Sequence, residues 1–232
     1  MSTVLVGLEM HLPFHHPDSL DFLELVMATY RPDTVVCIGD LMDVHANSRH
    51  DHDPNGHSAG DELDASLLAA EDVYEMFPVV KFCRGNHDTR IEKAAYRAGI
   101  PQRAIKSLEQ IYEMPAGWEV ADYHIIDDVC MEHGDRFGSG ATTHVRAVMS
   151  NMRSTVIGHV HTVFGSEYIA NRERLLFGAV AGALINPDSY AMAYARQYAK
   201  KSILGVTIIR NGKLCLSIPM FLDQHGRFTG EI

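Results

Sequence analysis

Val35-Val36-Cys37-Ile38-Gly39-Asp40-Leu41-Met42-Asp43 decides the architecture of this chain. Its apolar run is rich in β-branched residues, as a fully buried strand should be. Gly39 lets the backbone turn sharply with no Cβ in the way. Asp40 and Asp43 then follow at the carboxyl end of the strand, where open α/β sheets place their ligands. Three later segments repeat the design: Val79 to Asp88, Val129 to Asp135 and Ser154 to His161. Each is an apolar strand ending in or beside Gly, with Asp, Asn or His at its tip. One such tip says little. Four in one chain, all bearing metal-ligand side chains, point to a shared site.

Outward from that stretch, Thr3 to Leu8 reads as a first strand ending in Glu9-Met10-His11. Asp18 or Ser19 can cap a helix to about Tyr30, which Pro32 stops. Val44 to Gly60 is polar and reads as a long loop of the kind that is usually functional. Asp61 to Met76 is a helix. Thr89 to Ala98 and Arg103 to Tyr112 are helical stretches separated by Gly99-Ile100-Pro101. Strands are expected at 118–120, 123–126 and 129–132, with a hairpin turn at Asp127-Asp128, and a helix over Gly138 to Met152. Further strands are expected at 155–157, 163–169, 175–180, 202–210 and 214–219, the last two joined by the hairpin signal Asn211-Gly212. Tyr190 to Tyr198 reads as a short helix whose Tyr190, Tyr194 and Tyr198 pack rather than stack on bases. The polar tail from Phe221 wraps the surface. Alternating β and α followed by mostly β implies an α/β (α+β) chain of two sheets with flanking helices, one domain over residues 1–232.

The totals set bounds on function. A chain of 232 residues suits one large α/β domain. Its 46% apolar and 22% charged composition is that of a soluble globular protein. No apolar run nears the ~20 residues that span a bilayer, and the N-terminus enters a strand with no basic leader, so no signal peptide is expected. Cys37, Cys83, Cys130 and Cys215 lie in apolar runs as buried small hydrophobes, with no CxxC spacing, which fits a reducing cytoplasm. The net charge of −10 is uneven: residues 1–80 hold 15 acidic and 2 basic side chains, residues 81–232 hold 15 and 18. That acidic half argues against broad duplex DNA binding, which needs a wide cationic footprint.

The strand tips supply Glu9, His11, Asp40, Asn86, His133, His159 and His161, with Asp43 and His87 beside them. Carboxylates, an amide oxygen and imidazoles together suit Mn, Fe, Zn or Co better than Ca or Mg alone. Seven ligands exceed one ion's needs, and a pair ~3.5–4 Å apart uses them all. Two close cations need a bridging anion, and Asp40 holds the central strand position.

Glu9-x-His11, Gly39-Asp40-x-x-Asp43, Gly85-Asn86-His87-Asp88, His133-Gly134 and Gly158-His159-Val160-His161 resemble the five-motif signature of calcineurin-like metallophosphoesterases. The motifs stand in the family's order over residues 9–161. Leu12-Pro13-Phe14-His15 and Arg90 look like the family's small, phage-type branch. The resemblance implies a four-layer sandwich of two mixed β-sheets flanked by helices. It implies two divalent ions, Mn first among Mn, Fe, Zn, Co, Ni and Mg. Glu9, His11, Asp40 and His161 would hold one; Asp40, Asn86, His133 and His159 would hold the other. His87, its ring oriented by Asp43, would protonate the leaving oxygen or stabilise the phosphoryl group, and a metal-bridging hydroxide would attack phosphorus in line. One departure stands out: the family's first motif begins with Asp, and here it is Glu9, one methylene longer.

The expected function is therefore hydrolysis of phosphodiesters, with phosphomonoesters as further substrates, on a nucleotide or nucleic-acid end. The alternatives are a non-catalytic metal-binding scaffold of the same fold and a nuclease. Arg84, Arg90 and Arg136 lie beside motifs and could grip substrate phosphate. His45, His50, His52 and His57 read as a solvated loop over the site mouth, with His15 and His16 as rim residues. No membrane partner is expected, and a homo-oligomer is open.

Overall fold

The computed structural model describes residues 1–48, 56–189 and 201–232. The expected helix over Tyr190 to Tyr198, with its three tyrosines, lies outside them, as do His50 and His52. The β-branched runs build two mixed sheets. In chain order the first sheet holds β1 (Thr3–Gly7), β2 (Thr34–Cys37), β3 (Val80–Cys83), β4 (Trp118–Ala121), β10 (Gly205–Arg210) and β11 (Leu214–Pro219). Its spatial order is β11-β10-β1-β2-β3-β4, with the β1 to β4 pairings parallel and both pairings of β10 antiparallel. The second sheet holds β5 (Tyr123–Ile126), β6 (Val129–Glu132), β7 (Thr155–Ile157), β8 (Gly165–Ala170) and β9 (Leu175–Val180), ordered β5-β6-β7-β9-β8. Both turn signals hold: Asp127-Asp128 and Asn211-Gly212 all adopt positive φ, as tight hairpins demand.

Strands buried on both faces explain the continuous apolar runs. Val4, Val6, Val36 and Ile38 of the first sheet meet Val129, Met131, Val156 and Phe177 of the second in one buried cluster. The other face of the first sheet packs Leu5, Val35, Cys37 and Phe82 against α1 (Ser19–Tyr30) and α2 (Ala59–Met76) through Phe22, Leu23, Val26, Ala70 and Val73. On the far side of the second sheet, Ala147 of α5 (Thr143–Asn151) packs on Ile157 and Val180. The result is four layers, helix-sheet-sheet-helix. All four cysteines are buried and free. Among the described residues no helix is long and apolar enough to cross a membrane.

Three elements differ from expectation. The helix over 103–112 breaks into a 3-10 turn (Gln102–Ala104) and the short α4 (Leu108–Ile111), because Ser107 forms a capping box with Gln110 and restarts the helix. The helix over 138–152 begins only at Thr143, since Gly138 sits at φ +83°. The loop after Asp43 begins with a helical turn and ends before Gly60. Val44 takes a left-handed turn into a 3-10 helix (His45–Asn47), and α2 already begins at Ala59. The first of the two stretches around Gly99-Ile100-Pro101 is α3 (Arg90–Arg97), which buries no side chain.

Candidate metal centre

The carboxyl ends of β1, β2, β3, β6 and β7 converge, and the loops leaving them are laced together. His11 N donates to Asp40 O (3.0 Å), Leu12 N to Leu41 O (2.8 Å), Gly158 N to His133 O (2.9 Å) and Leu184 N to Glu9 O (2.8 Å). Leu8, His11, Asp40, Val44 and His159 all sit at φ between 50° and 64°. Non-glycine residues are rare there, and such strain concentrates at sites the surrounding fold over-determines. Two glycines permit the crowding. A Cβ on Gly85 would stand 2.1 Å from Asp40 Oδ1, and one on Gly158 would stand 2.5 Å from Glu9 Oε2.

The seven expected ligands come together. Ligand atoms of Glu9, His11 and His161 lie within 4.8 Å of one another, as do those of Asp40, His133 and His159. A third such group, His11, Asp40 and His87, joins the two through Asp40. His161 Nε2 lies 3.0 Å from Glu9 Oε1 and 3.2 Å from His11 Nε2. Asp40 Oδ2 lies 3.1 Å from His133 Nε2 and 4.0 Å from His11 Nε2. Asn86 Oδ1 approaches His133 Nε2 at 3.0 Å. Glu9, buried where the expected Asp would be shorter, also accepts the His159 N–H at 2.9 Å. The space above Gly158 is what admits its extra methylene.

The donor set fits divalent cations. Glu9, His11, Asp40 and His133 are each at most 2% exposed. Buried carboxylates need partners, and among the described residues Glu9 and Asp40 form ion pairs with imidazoles alone. His11 Nδ1 is held by Asp43 Oδ1 (2.8 Å) and His133 Nδ1 by Ile38 O (3.0 Å). Each ring therefore turns Nε2 toward the centre, the orientation that a metal-bound histidine receives from its outer partner.

Electrostatics follow from this enclosure. Burial opposes charge on His11, but its Asp43 hydrogen bond and the neighbouring carboxylates outweigh it and raise the ring to about 10. His133 is likewise raised to about 10, burial being outweighed by the charge and hydrogen bond of Asp40. Burial would raise Glu9, Asp40 and Asp43, yet the histidines hold all three well below the usual carboxylate range.

Asp43 does more than expected. Its Oδ1 meets both His11 Nδ1 and His87 Nδ1 (2.7 Å), so one carboxylate orients two rings. Arg90 donates to Asp43 O (2.7 Å) and lies 2.9 Å from His87 Nε2. A guanidinium has no acceptor, so Nε2 accepts and the proton sits on Nδ1. Burial, with His11 nearby, keeps His87 below its ordinary value. Arg84 instead pairs with Asp122 (3.2 Å) at the surface, and Arg136 with the buried Glu132 (2.7 Å).

Several residues were not singled out from sequence. Asp88 accepts from Asp40 N (2.7 Å), Gly85 N (2.8 Å) and Met42 N (3.3 Å), tying two site loops together. Burial and the Asp40 carboxylate push it up to about 7. Glu62 of α2 is buried and accepts from the backbone of His45 and from Ala46 N (2.8 Å). His45 is accordingly buried, with Nδ1 at 3.8 Å from Asp43 Oδ2, and is no solvated loop residue. His16 is not a rim residue either: it is buried against the C-terminal segment, Nε2 at 3.0 Å from Gly226 O. Only the order Gly-Asn-His-Asp hinted at Asp88; Glu62 carried no local signal, and the loop position of His16 pointed to the rim instead.

A family model described as calcineurin-like phosphoesterase matches residues 10–181. The match begins one residue after Glu9. No curated protein matches the chain. Among solved structures it is similar to vacuolar protein sorting 29 from Cryptosporidium parvum, at 14% identity and TM-score 0.45, over 94% of this chain and 97% of that one. It is similar to Vps29 of Chaetomium thermophilum at 10% identity and TM-score 0.45, over 98% and 92%. A third similarity is to the nuclease MPE of Pseudomonas putida, at 14% identity and TM-score 0.40, over 93% and 85%.

Proposed function

The chain belongs to the calcineurin-like phosphoesterase family, and from that premise we propose that it is a hydrolase of phosphodiesters that works with two divalent cations. The observation that carries the proposal is the pair of ligand groups, Glu9-His11-His161 and Asp40-His133-His159, joined through Asp40. Glu9, His11, Asp40 and His161 would hold one ion; Asp40, Asn86, His133 and His159 would hold the other. Manganese is our first choice of metal, since the set mixes hard carboxylate and amide oxygens with imidazoles. When bound, the ions would acidify water and offset charge building on the phosphoryl oxygens.

The chain's own residues do the rest. Asp43 fixes the tautomer of His87 through Nδ1. Arg90, 2.9 Å from His87 Nε2, is placed to turn onto a non-bridging phosphate oxygen as substrate enters. That movement frees Nε2 to take up a proton from solvent and pass it to the leaving oxygen.

The test is hydrolysis of bis(p-nitrophenyl) phosphate beside p-nitrophenyl phosphate. The protein is first stripped with chelator and then reloaded with Mn. Diester turnover should return with Mn and fall about 10²-fold or more in His87→Ala. Uptake of two ions with no turnover on Mn, Zn, Fe, Co, Ni or Mg would overturn the proposal in favour of a metal-binding scaffold.

A further inference from the structure

Residues 84–106 run against the charge of the whole chain. They hold Arg84, Arg90, Lys93, Arg97, Arg103 and Lys106 against Asp88 and Glu92, a net +4 in a protein of −10. Asp88 is buried, whereas Arg84, Lys93, Arg97, Arg103 and Lys106 are exposed. This is the segment that carries Asn86 and His87 into the site. Its helix α3 fully buries no side chain and packs on the core through Ile91, so packing does not account for Lys93 and Arg97 on its exposed side.

The placement is directional. Arg90, Lys93 and Arg97 fall at i, i+3 and i+7, one stripe along a helix. The stripe begins at Arg90, beside His87 Nε2, and runs about 10 Å outward to Arg97 at 1.5 Å per residue. Beside it lies a cleft of about 340 Å³, lined by Asn86 and His133 at its inner end. Arg84, Lys93, Tyr123 and Arg136 line the same cleft, together with the carboxylates Asp122, Glu132 and Asp135. Arg84 and Arg136 pair with the first two, so the cation excess lies on Lys93 and, beyond the cleft, on Arg97. The Arg84–Asp122 pair is solvent-exposed on both sides, and such pairs are worth little and open easily. Tyr123 is 54% exposed and Tyr96, on α3, 82%. Cations beside exposed aromatic rings are how proteins follow a single-stranded backbone while bases stack. A duplex would need a broader cationic face than this one stripe.

We propose that α3 and the adjoining cleft bind a single-stranded nucleic acid, leading its end to the metal centre, with Lys93 and Arg97 on successive phosphates and Tyr123 under a base. This rests on the phosphodiesterase proposal for the chemistry, but the binding is separable from it.

The experiment is fluorescence anisotropy of a labelled single-stranded 12-mer oligonucleotide on the full chain, at several salt concentrations. Parent protein is compared with the Lys93→Glu/Arg97→Glu double variant, its milder Lys93→Gln/Arg97→Gln form, and a remote control, Lys213→Glu. Both double changes should weaken binding at least tenfold and flatten the slope of log K against log salt by about 1.4, at ~0.7 per lost phosphate contact on a single strand. The control should bind as the parent does. With Mn present, the double changes should raise the KM for the oligonucleotide relative to that for bis(p-nitrophenyl) phosphate. Equal affinity and slope in parent and double variants, or tighter binding of duplex than of single strand, would overturn the inference. Tight, salt-sensitive strand binding with no hydrolysis of either substrate would leave this surface standing and overturn the catalytic proposal instead.

Discussion

The longer carboxylate at position 9 is where this chain departs from the motif it otherwise follows. Glu9 reaches the His159 N–H at 2.9 Å and His161 Nε2 at 3.0 Å because Gly158 leaves the volume that its extra methylene occupies. Glu9→Asp would withdraw the carboxylate from both. We expect one of the two ions to bind 10- to 100-fold more weakly, the cost typical of disturbing a ligand's support. Titration with Mn followed by metal analysis reads this directly, and two equal, undiminished sites would show the exchange to be neutral. Asp43 is a second residue with two duties, since His11 and His87 share its Oδ1. The family resemblance implied the second partner but not the first, because the sharing depends on two loops meeting.

At the scale of elements, the C-terminal segment is a strap rather than a loose tail. Arg227 pairs with Asp18 through Nε (2.7 Å) and Nη2 (2.5 Å), and Phe228 N donates to the same carboxylate at 2.9 Å. The Phe228 ring meets Phe22 of α1 edge-on at 5.4 Å. The strap thereby clamps the start of α1 and the loop that follows His11. Arg227 hydrogen bonding and the Phe228 amide lower Asp18 to about 2. A depressed carboxyl contributes stability that is whole above its unfolded value near 4 and is lost as pH falls through the folded one. Arg227→Ala should therefore lower the melting temperature by a few degrees at neutral pH. The gap from the parent should close as pH falls from about 5 toward 2. A gap that persists at the acid end would mean the arginine acts by packing alone.

At the scale of the molecule, two sheets and their loops hold a centre whose protons stand where cations would. His11 and His133, raised to about 10 in the metal-free chain, contribute stability that is complete below about 6.5 and fades as pH climbs through the raised values. A metal must displace those protons. Metal affinity should accordingly rise with pH until those raised values are passed, and uptake near pH ~7.5 should release protons. Calorimetry in two buffers of different ionisation enthalpy measures the release. An enthalpy independent of buffer would refute it.

The sequence by itself determined where the strands lie to within a few residues, and which chemistry-bearing side chains stand at their tips. Apolar β-branched runs bounded by Gly are a local signal, and chemistry-bearing residues placed just past them inherit their position from the strand. The same locality explains the two hairpins and the early part of α1. What only the tertiary structure decided is distance and duty. Asp40 stands between two ligand groups because β2 lies between β1 and β3 and its sheet faces β6 and β7. Glu62 reaches the His45 loop, Asp88 ties two loops by their amides, and His16 meets Gly226 across a sequence separation of 210 residues. Those partnerships are long-range hydrogen bonds satisfied only when the layers close, so no local pattern in the chain announces them.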